Sequence, residues 1–186
     1  MRCKFLFLMR VLATTAALSQ SVVLATEHEF SGKVVEVIDG DSLKVVRDGK
    51  TEVVHLLNID APELAQPFGD KAKKFCEELC LGDQVRVVWE VRDNKGGILA
   101  TVHEEDGFNV NFEMVKAGMA WECKELTHDR TLTELETDAR KGKRGLWADR
   151  HPTPPWEFRK QHQKPLAGQP PAPRIGTGIL PGPIRF

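Results

Sequence analysis

The chain has 186 residues, enough for one domain with extensions, and 41% of them are apolar. Its 26 Lys and Arg stand against 27 Asp and Glu, a formal charge of −1. That balance excludes a strongly basic nucleic-acid coat, so any grip on a phosphate backbone must come from a local groove.

The first 25 residues have the pattern of a secretory signal peptide. Arg2 and Lys4 form a positive start, and Phe5 to Leu24 is mostly apolar, interrupted by Arg10. Val23-Leu24-Ala25 places small residues ahead of a cut before Thr26. The alternative is an uncleaved anchor. No other stretch approaches the roughly 18 apolar residues of a spanning helix. The expectation is a secreted or periplasmic monomer with no stable membrane association after cleavage. Loss of residues 1–25 removes three basic residues and no acid, taking the charge from −1 to −4. Cys76, Cys80 and Cys123 would then remain, an odd number for an oxidising compartment. Cys76 and Cys80 are one helical turn apart, and a bridge within one helix strains disulfide geometry. A bridge to Cys123 and a set of buried thiols both stay open.

The domain proper is read as residues 26–159. Gly32 to Ile38 alternates and is rich in β-branched residues, Ser42 to Val46 does the same, and Asp39-Gly40 between them is a turn signal. Asp48-Gly49-Lys50 marks a second turn feeding Thr51 to Leu57. The predicted strands are 31–38, 41–47 and 51–58. A helix is predicted from Pro67 to Leu79, with Ala72, Phe75, Cys76 and Leu79 at helical spacing. Strands follow at Gln84 to Val91 and Ile98 to Val102, with helices at Asn109 to Ala117 and Asp129 to Lys143. Five strands in meander order, with a helix between the third and fourth, give an α+β, mainly β fold. It is a five-stranded oligonucleotide/oligosaccharide-binding (OB) barrel with three helices. Residues 160–186 shift to proline and glycine, cannot bury a core, and are read as a disordered tail.

Val34 to Glu63 carries the chemistry. Asp39, Asp41, Asp60 and Glu63 lie in two short clusters at strand ends, where Asp41 and Asp60 are placed to converge. Converging carboxylates repel, and a hard divalent cation is the usual reason to tolerate them.

The same residues resemble the staphylococcal nuclease (thermonuclease) family. The likeness lies in Gly32 through Ser42, in Leu57-Asn58-Ile59-Asp60-Ala61-Pro62-Glu63, in Asn111 to Ala120, and in Lys143-Arg144-Gly145-Leu146-Trp147-Ala148. Pro154-Pro155-Trp156-Glu157-Phe158-Arg159 is similar to a C-terminal signature of exported bacterial members. The resemblance implies a calcium-dependent endonuclease, a hydrolase of phosphodiester bonds in DNA or RNA. Carried over by motif, Asp41 and Asp60 are calcium ligands, and the backbone carbonyl of Ala61 is a third. Asp39 orients them from behind, and Glu63 activates the attacking water.

Two departures stand out. Where the family has phosphate-clamping arginines, this chain has His55 and Gly97. Arginine suits that task because its fork is planar, permanently charged and bidentate. Lys95, in the turn before Gly97, is the replacement candidate for binding substrate, and His55 is a candidate acid. The stacking tyrosines are absent as well, since the chain contains no tyrosine. Trp121 is read as packing against the barrel. Three readings follow: an exported nuclease of strongly reduced activity, a non-catalytic calcium or nucleic-acid-binding module (a pseudoenzyme), and a protein-interaction scaffold. The clustered acids speak against the bare scaffold. The basic runs Lys71, Lys73, Lys74 and Arg140, Lys141, Lys143, Arg144 are read as solvated helix faces or, alternatively, as a phosphate track.

Overall fold

A computed structural model describes residues 28–124 and 129–162. The expected signal peptide and residues 163–186 of the expected tail lie outside the described residues. Five long strands, β1 (His28–Val37), β2 (Ser42–Arg47), β3 (Lys50–Leu56), β5 (Gln84–Arg92) and β6 (Ile98–Glu104), close into a barrel in the order β1-β2-β3-β6-β5. Every pairing is antiparallel except β3 with β6. The barrel closes because β1 pairs with both β2 and β5, Lys33 facing Val46 on one side and Gln84 on the other. A register shift between Val34 and Glu36 accompanies the bend this requires. The β2–β3 turn has Asp48 at φ 50° and Gly49 at φ 73°, the left-handed pair that a two-residue hairpin favours.

The alternation seen in the sequence is the inside–outside alternation of the barrel. Val34, Leu43, Val45, Val54, Val85, Val87 and Val102 are buried in its interior. Each contributes about 1.5–3 kcal/mol relative to exposure. Helix α1 (Gly69–Cys80) packs Ala72, Cys76 and Cys80 against one end. Both cysteines are buried thiols, Cys80 donating to the Cys76 carbonyl, and neither is bridged. The hydrogen bond with neighbouring Cys80, then burial, push the Cys76 thiol far above the ordinary thiol range, so it acts as a small hydrophobe. Helix α2 (Val110–Lys116) starts at Asn109, whose side chain accepts from the Phe112 amide. Buried Asn111 accepts from Val102 N and donates to the carbonyls of Leu57 and Ala100, fastening α2 to β6 and to the end of β3. Helix α3 (Arg130–Lys141) is capped by the Asp129 carboxylate.

A smaller sheet pairs β4 (Ile59–Asp60) with β7 (Trp121–Glu122). Above it a second core gathers Trp121, Ala139, Leu146 and Trp147. Trp121 therefore packs on α3 and the 3-10 turn Gly145–Ala148, its ring edge-on to Trp147 at 4.3 Å, rather than on the barrel interior. A fourth helix, α4 (Pro155–His162), adds to the three expected ones. Trp156 at its start meets Trp121 edge-on at 5.6 Å, and the Gln66 side chain donates to the Thr153 carbonyl just before it. These contacts dock α4 beside the β4 segment. The basic runs are engaged locally: Lys73 with Glu77, Lys74 with Glu78, Lys71 over Phe68, and Arg140 over Trp147 and against Glu136. No described helix is long and apolar enough to cross a membrane.

Candidate active site

The turn joining β1 to β2 sets the first acids. Asp39 Oδ1 accepts from the Asp41 amide at 3.1 Å, and Ile38 N donates to Ser42 O at 2.8 Å. Gly40 is required here by close approach rather than by its dihedral angle. A Cβ on it would stand 2.6 Å from Ala61 Cβ and 2.8 Å from Ala72 Cβ. The missing side chain lets the turn lie against the segment that follows β4. There Asp41 Oδ2 accepts from Ala61 N at 2.6 Å, while Ser42 Oγ donates to Asp41 Oδ1 at 3.1 Å. Asp60, nearly buried, is held by pairing with Trp121 across β4 and β7.

The expected convergence is present. Asp39, Asp41, Asp60, Ala61, Glu63, His55, Lys95 and Gly97 all line one cleft of about 960 Å³ at the barrel's end. Burial, with the charges of Asp39 and Asp60 beside it, pushes the Asp41 carboxyl up to about 8. At neutral pH the Asp41 carboxyl therefore keeps its proton unless a cation stands beside it.

The cation the sequence did not point to is Arg159 of α4. Its Nη2 donates to Asp60 Oδ2 at 2.6 Å, and Nη1 donates to Asp60 Oδ1 at 3.0 Å and to Glu63 Oε1 at 2.7 Å. The two carboxylates hold the guanidinium firmly protonated, well above its ordinary value. The stretch that carries it was visible as a motif, Pro154 to Arg159, but nothing in that motif says where α4 docks.

The opposite wall is built around His55. β3 sets it across from Ser42 on β2, and its Nδ1 lies 3.1 Å from Ser42 Oγ. Its Nε2 lies 3.5 Å from Asp93 Oδ2. Asp93, a second residue the motif reading missed, organises the β5–β6 turn. Its Oδ1 accepts from Lys95 N and Gly97 N, and these backbone donors lower its pKa below the usual carboxylate value. Lys95 is exposed at the lip. Gly97 is buried against the His55–Asp93 pair and presents no side chain to the cleft.

Asp39, Asp41, Asp60 and the Ala61 carbonyl are all oxygen donors, the kind calcium takes, and Asp41 is buried beside the charges of Asp39 and Asp60, where a cation would favour its ionised form. In kind the residues fit. In arrangement, no three His, Cys, Asp or Glu side chains among the described residues form a metal-ion cage. Both oxygens of Asp60 are turned to Arg159 instead.

The model of the family described as "Staphylococcal nuclease homologue" matches residues 53–149. The chain is 42% identical over 136 residues to an uncharacterised endonuclease of Escherichia coli, covering 73% of this chain and 88% of that one. It is 36% identical over 160 residues to an uncharacterised endonuclease of Haemophilus influenzae, covering 85% and 89%. A micrococcal nuclease of Shigella flexneri is 32% identical over 163 residues, covering 80% and 94%. With its barrel, its acid cluster and these relatives in agreement, the chain belongs to the staphylococcal nuclease homologue family.

Proposed function

We propose that this protein is an exported, monomeric phosphodiesterase that cleaves DNA or RNA with calcium as cofactor, at a strongly reduced rate. The observation that carries the reading is the gathering of Asp39, Asp41, Asp60 and Glu63 into one cleft. Asp41, Asp60 and the Ala61 carbonyl would hold the ion, with Asp39 fixing the backbone of Asp41. Bound there, calcium supplies charge compensation and polarises a phosphate oxygen. Glu63 takes a proton from the water that attacks phosphorus. A phosphorus–oxygen bond forms as the one to the leaving oxygen breaks, and that oxygen takes its proton from solvent. Glu63 is suited to this because its side chain is 38% exposed on the cleft wall, two residues beyond Ala61.

The reduced rate rests on His55 and Gly97. One missing electrostatic donor at a transition state costs about 10²–10³ in rate. The two losses need not multiply. A second reading, a non-catalytic calcium or nucleic-acid-binding module, is favoured by one observation: His55 is turned to Asp93 and Gly97 has nothing to offer a phosphate.

Cleavage assays on the protein lacking residues 1–25 test the proposal. Slow cleavage that EDTA abolishes and Glu63→Gln abolishes supports it. Calcium binding without cleavage selects the second reading, and cleavage indifferent to EDTA overturns both.

A further inference from the structure

Three basic residues line the cleft: His55, Lys95 and Arg159. His55 is engaged by Ser42 and Asp93. Lys95 stands exposed in its turn, a compact charge on a long stem. Arg159 is different in kind. Its fork spans Asp60 and Glu63 with three N–H···O bonds of 2.6–3.0 Å, and its side chain is 44% exposed, so it reaches the cleft from the wall without being sealed there.

One guanidinium thus faces two carboxylates, one of them among the residues suited to a cation and the other suited to activate water. Each of those tasks requires the carboxylate to loosen its hold on Arg159. The guanidinium then sits in the cleft, still charged and with its donors unpaired. A phosphodiester offers two non-bridging oxygens whose spacing and charge match the fork as a carboxylate does. The α4 helix carries the residue to this position through the Trp156–Trp121 contact and the Gln66–Thr153 bond, both anchored next to the two acids, since Trp121 pairs with Asp60 and Gln66 accepts from the Glu63 amide.

We propose that Arg159 is the phosphate-binding arginine of this cleft: its fork, held by Asp60 and Glu63, passes to the substrate phosphate when those carboxylates engage calcium and water. The proposal rests on the nuclease reading above. It has a consequence that a structural ion pair lacks. Arg159 and calcium compete for Asp60, so removing the guanidinium should strengthen calcium binding while weakening phosphate binding.

Three proteins lacking residues 1–25 are compared: wild type, Arg159→Gln and Arg159→Lys. Calcium is titrated alone by calorimetry, and a deoxynucleoside 5′-monophosphate, which has no diester to cut, is titrated at saturating calcium. Arg159→Gln is expected to bind calcium at least threefold tighter and the monophosphate at least tenfold weaker. It should cleave DNA about 10²–10³ more slowly. Arg159→Lys keeps a charge without the fork and should recover part of the monophosphate affinity. Circular dichroism controls for folding, and Arg159→Lys carries the test should Arg159→Gln not fold. Unchanged monophosphate affinity in a folded variant, or weakened calcium binding, overturns the proposal. If wild type and Arg159→Gln cleave equally, the role of Arg159 fails while the nuclease reading stands. A wild type that neither takes up calcium nor cleaves removes both.

Discussion

Gly97 and His55 share one volume: a Cβ on Gly97 would lie 2.9 Å from His55 Nε2 and equally close to Asp93 Oδ2. His55 and Gly97, the two positions where the family resemblance implies arginines, are therefore neighbours at the β3–β6 pairing, and changes at the two are expected to depend on one another. With glycine at 97, the imidazole has room to reach Asp93. An arginine at 97 must displace that pair, which it can do because both contacts are side-chain ends. We expect His55→Arg and Gly97→Arg to be coupled. Each alone should give a small gain in calcium-dependent cleavage, since each leaves the other position wrong. The double variant should exceed the product of the single gains by about fivefold or more, a coupling within the usual range for contacting residues. A double-mutant cycle on kcat/KM measures this, and simple multiplication of the single effects would show the positions to be independent.

Gly40 provides a test of how the acid cluster is assembled. Its hydrogen faces Ala61 and Ala72, both buried. Neither contact is a flexible side-chain end, so Gly40→Ala must push the turn off α1 and off residue 61. Overpacking of this kind costs about 1–3 kcal/mol. The same movement stretches the 2.6 Å bond from Ala61 N to Asp41. Chemical denaturation should show the stability loss and calorimetry a fall in calcium affinity. Adding Ala72→Gly should restore part of the stability.

Much of this was legible in sequence because local pattern determined it. The alternation of Val34 to Val45 and of Val85 to Val88 is the barrel's own alternation, and the acids next to Gly40 and Pro62 follow from short-range turns. What was not legible depends on contacts between distant segments. Arg159 meets Glu63 across 96 residues and Asp60 across 99, through a helix whose docking is set by Trp156 on Trp121. Asp93 reads in sequence as a turn residue, and only the parallel pairing of His55 with Leu99 brings it to His55. Trp121 reads in sequence as barrel packing because the second core, assembled from α3, the 3-10 turn and α4, has no periodic signature of its own.

Asp41 makes the metal-free protein sensitive to pH. Its carboxyl is raised to about 8, chiefly by burial and then by Asp39, so the folded state holds a proton that the unfolded state releases near 3.8. A raised carboxyl contributes stability that is fully present below the ordinary value and is lost as pH rises through the interval up to about 8. In EDTA, the wild-type melting temperature should therefore fall between pH 5 and pH 8. Asp41→Asn keeps an acceptor for Ala61 N and removes the titration. It should melt higher than wild type at pH 8 in EDTA, with the difference shrinking toward pH 5. Calcium should stabilise wild type and leave Asp41→Asn nearly unchanged. A parallel fall in both proteins with pH would assign the loss to other groups.

Glu136 tests whether the second core positions the site. It is 2% exposed, its Oε2 accepts from the Glu122 amide at 2.8 Å, and its Oε1 accepts from Arg140 Nε at 3.0 Å. Glu122 belongs to β7, and β7 holds β4, which presents Asp60. Glu136 thus lies in a chain of contacts leading to a cleft it does not touch. Its ion-pair partner Arg140 is 45% exposed and can turn to solvent, so the main loss is the acceptor of the buried Glu122 amide, about 1–3 kcal/mol. Glu136→Ala should approach that loss, while Glu136→Gln keeps the acceptor for Glu122 N and should lose less. If β7 positions Asp60, both variants should also weaken calcium binding at temperatures where they stay folded, in the same order as their stability losses. Loss of stability with calcium affinity unchanged would mean that Asp60 is held by the Arg159 fork and the barrel edge alone.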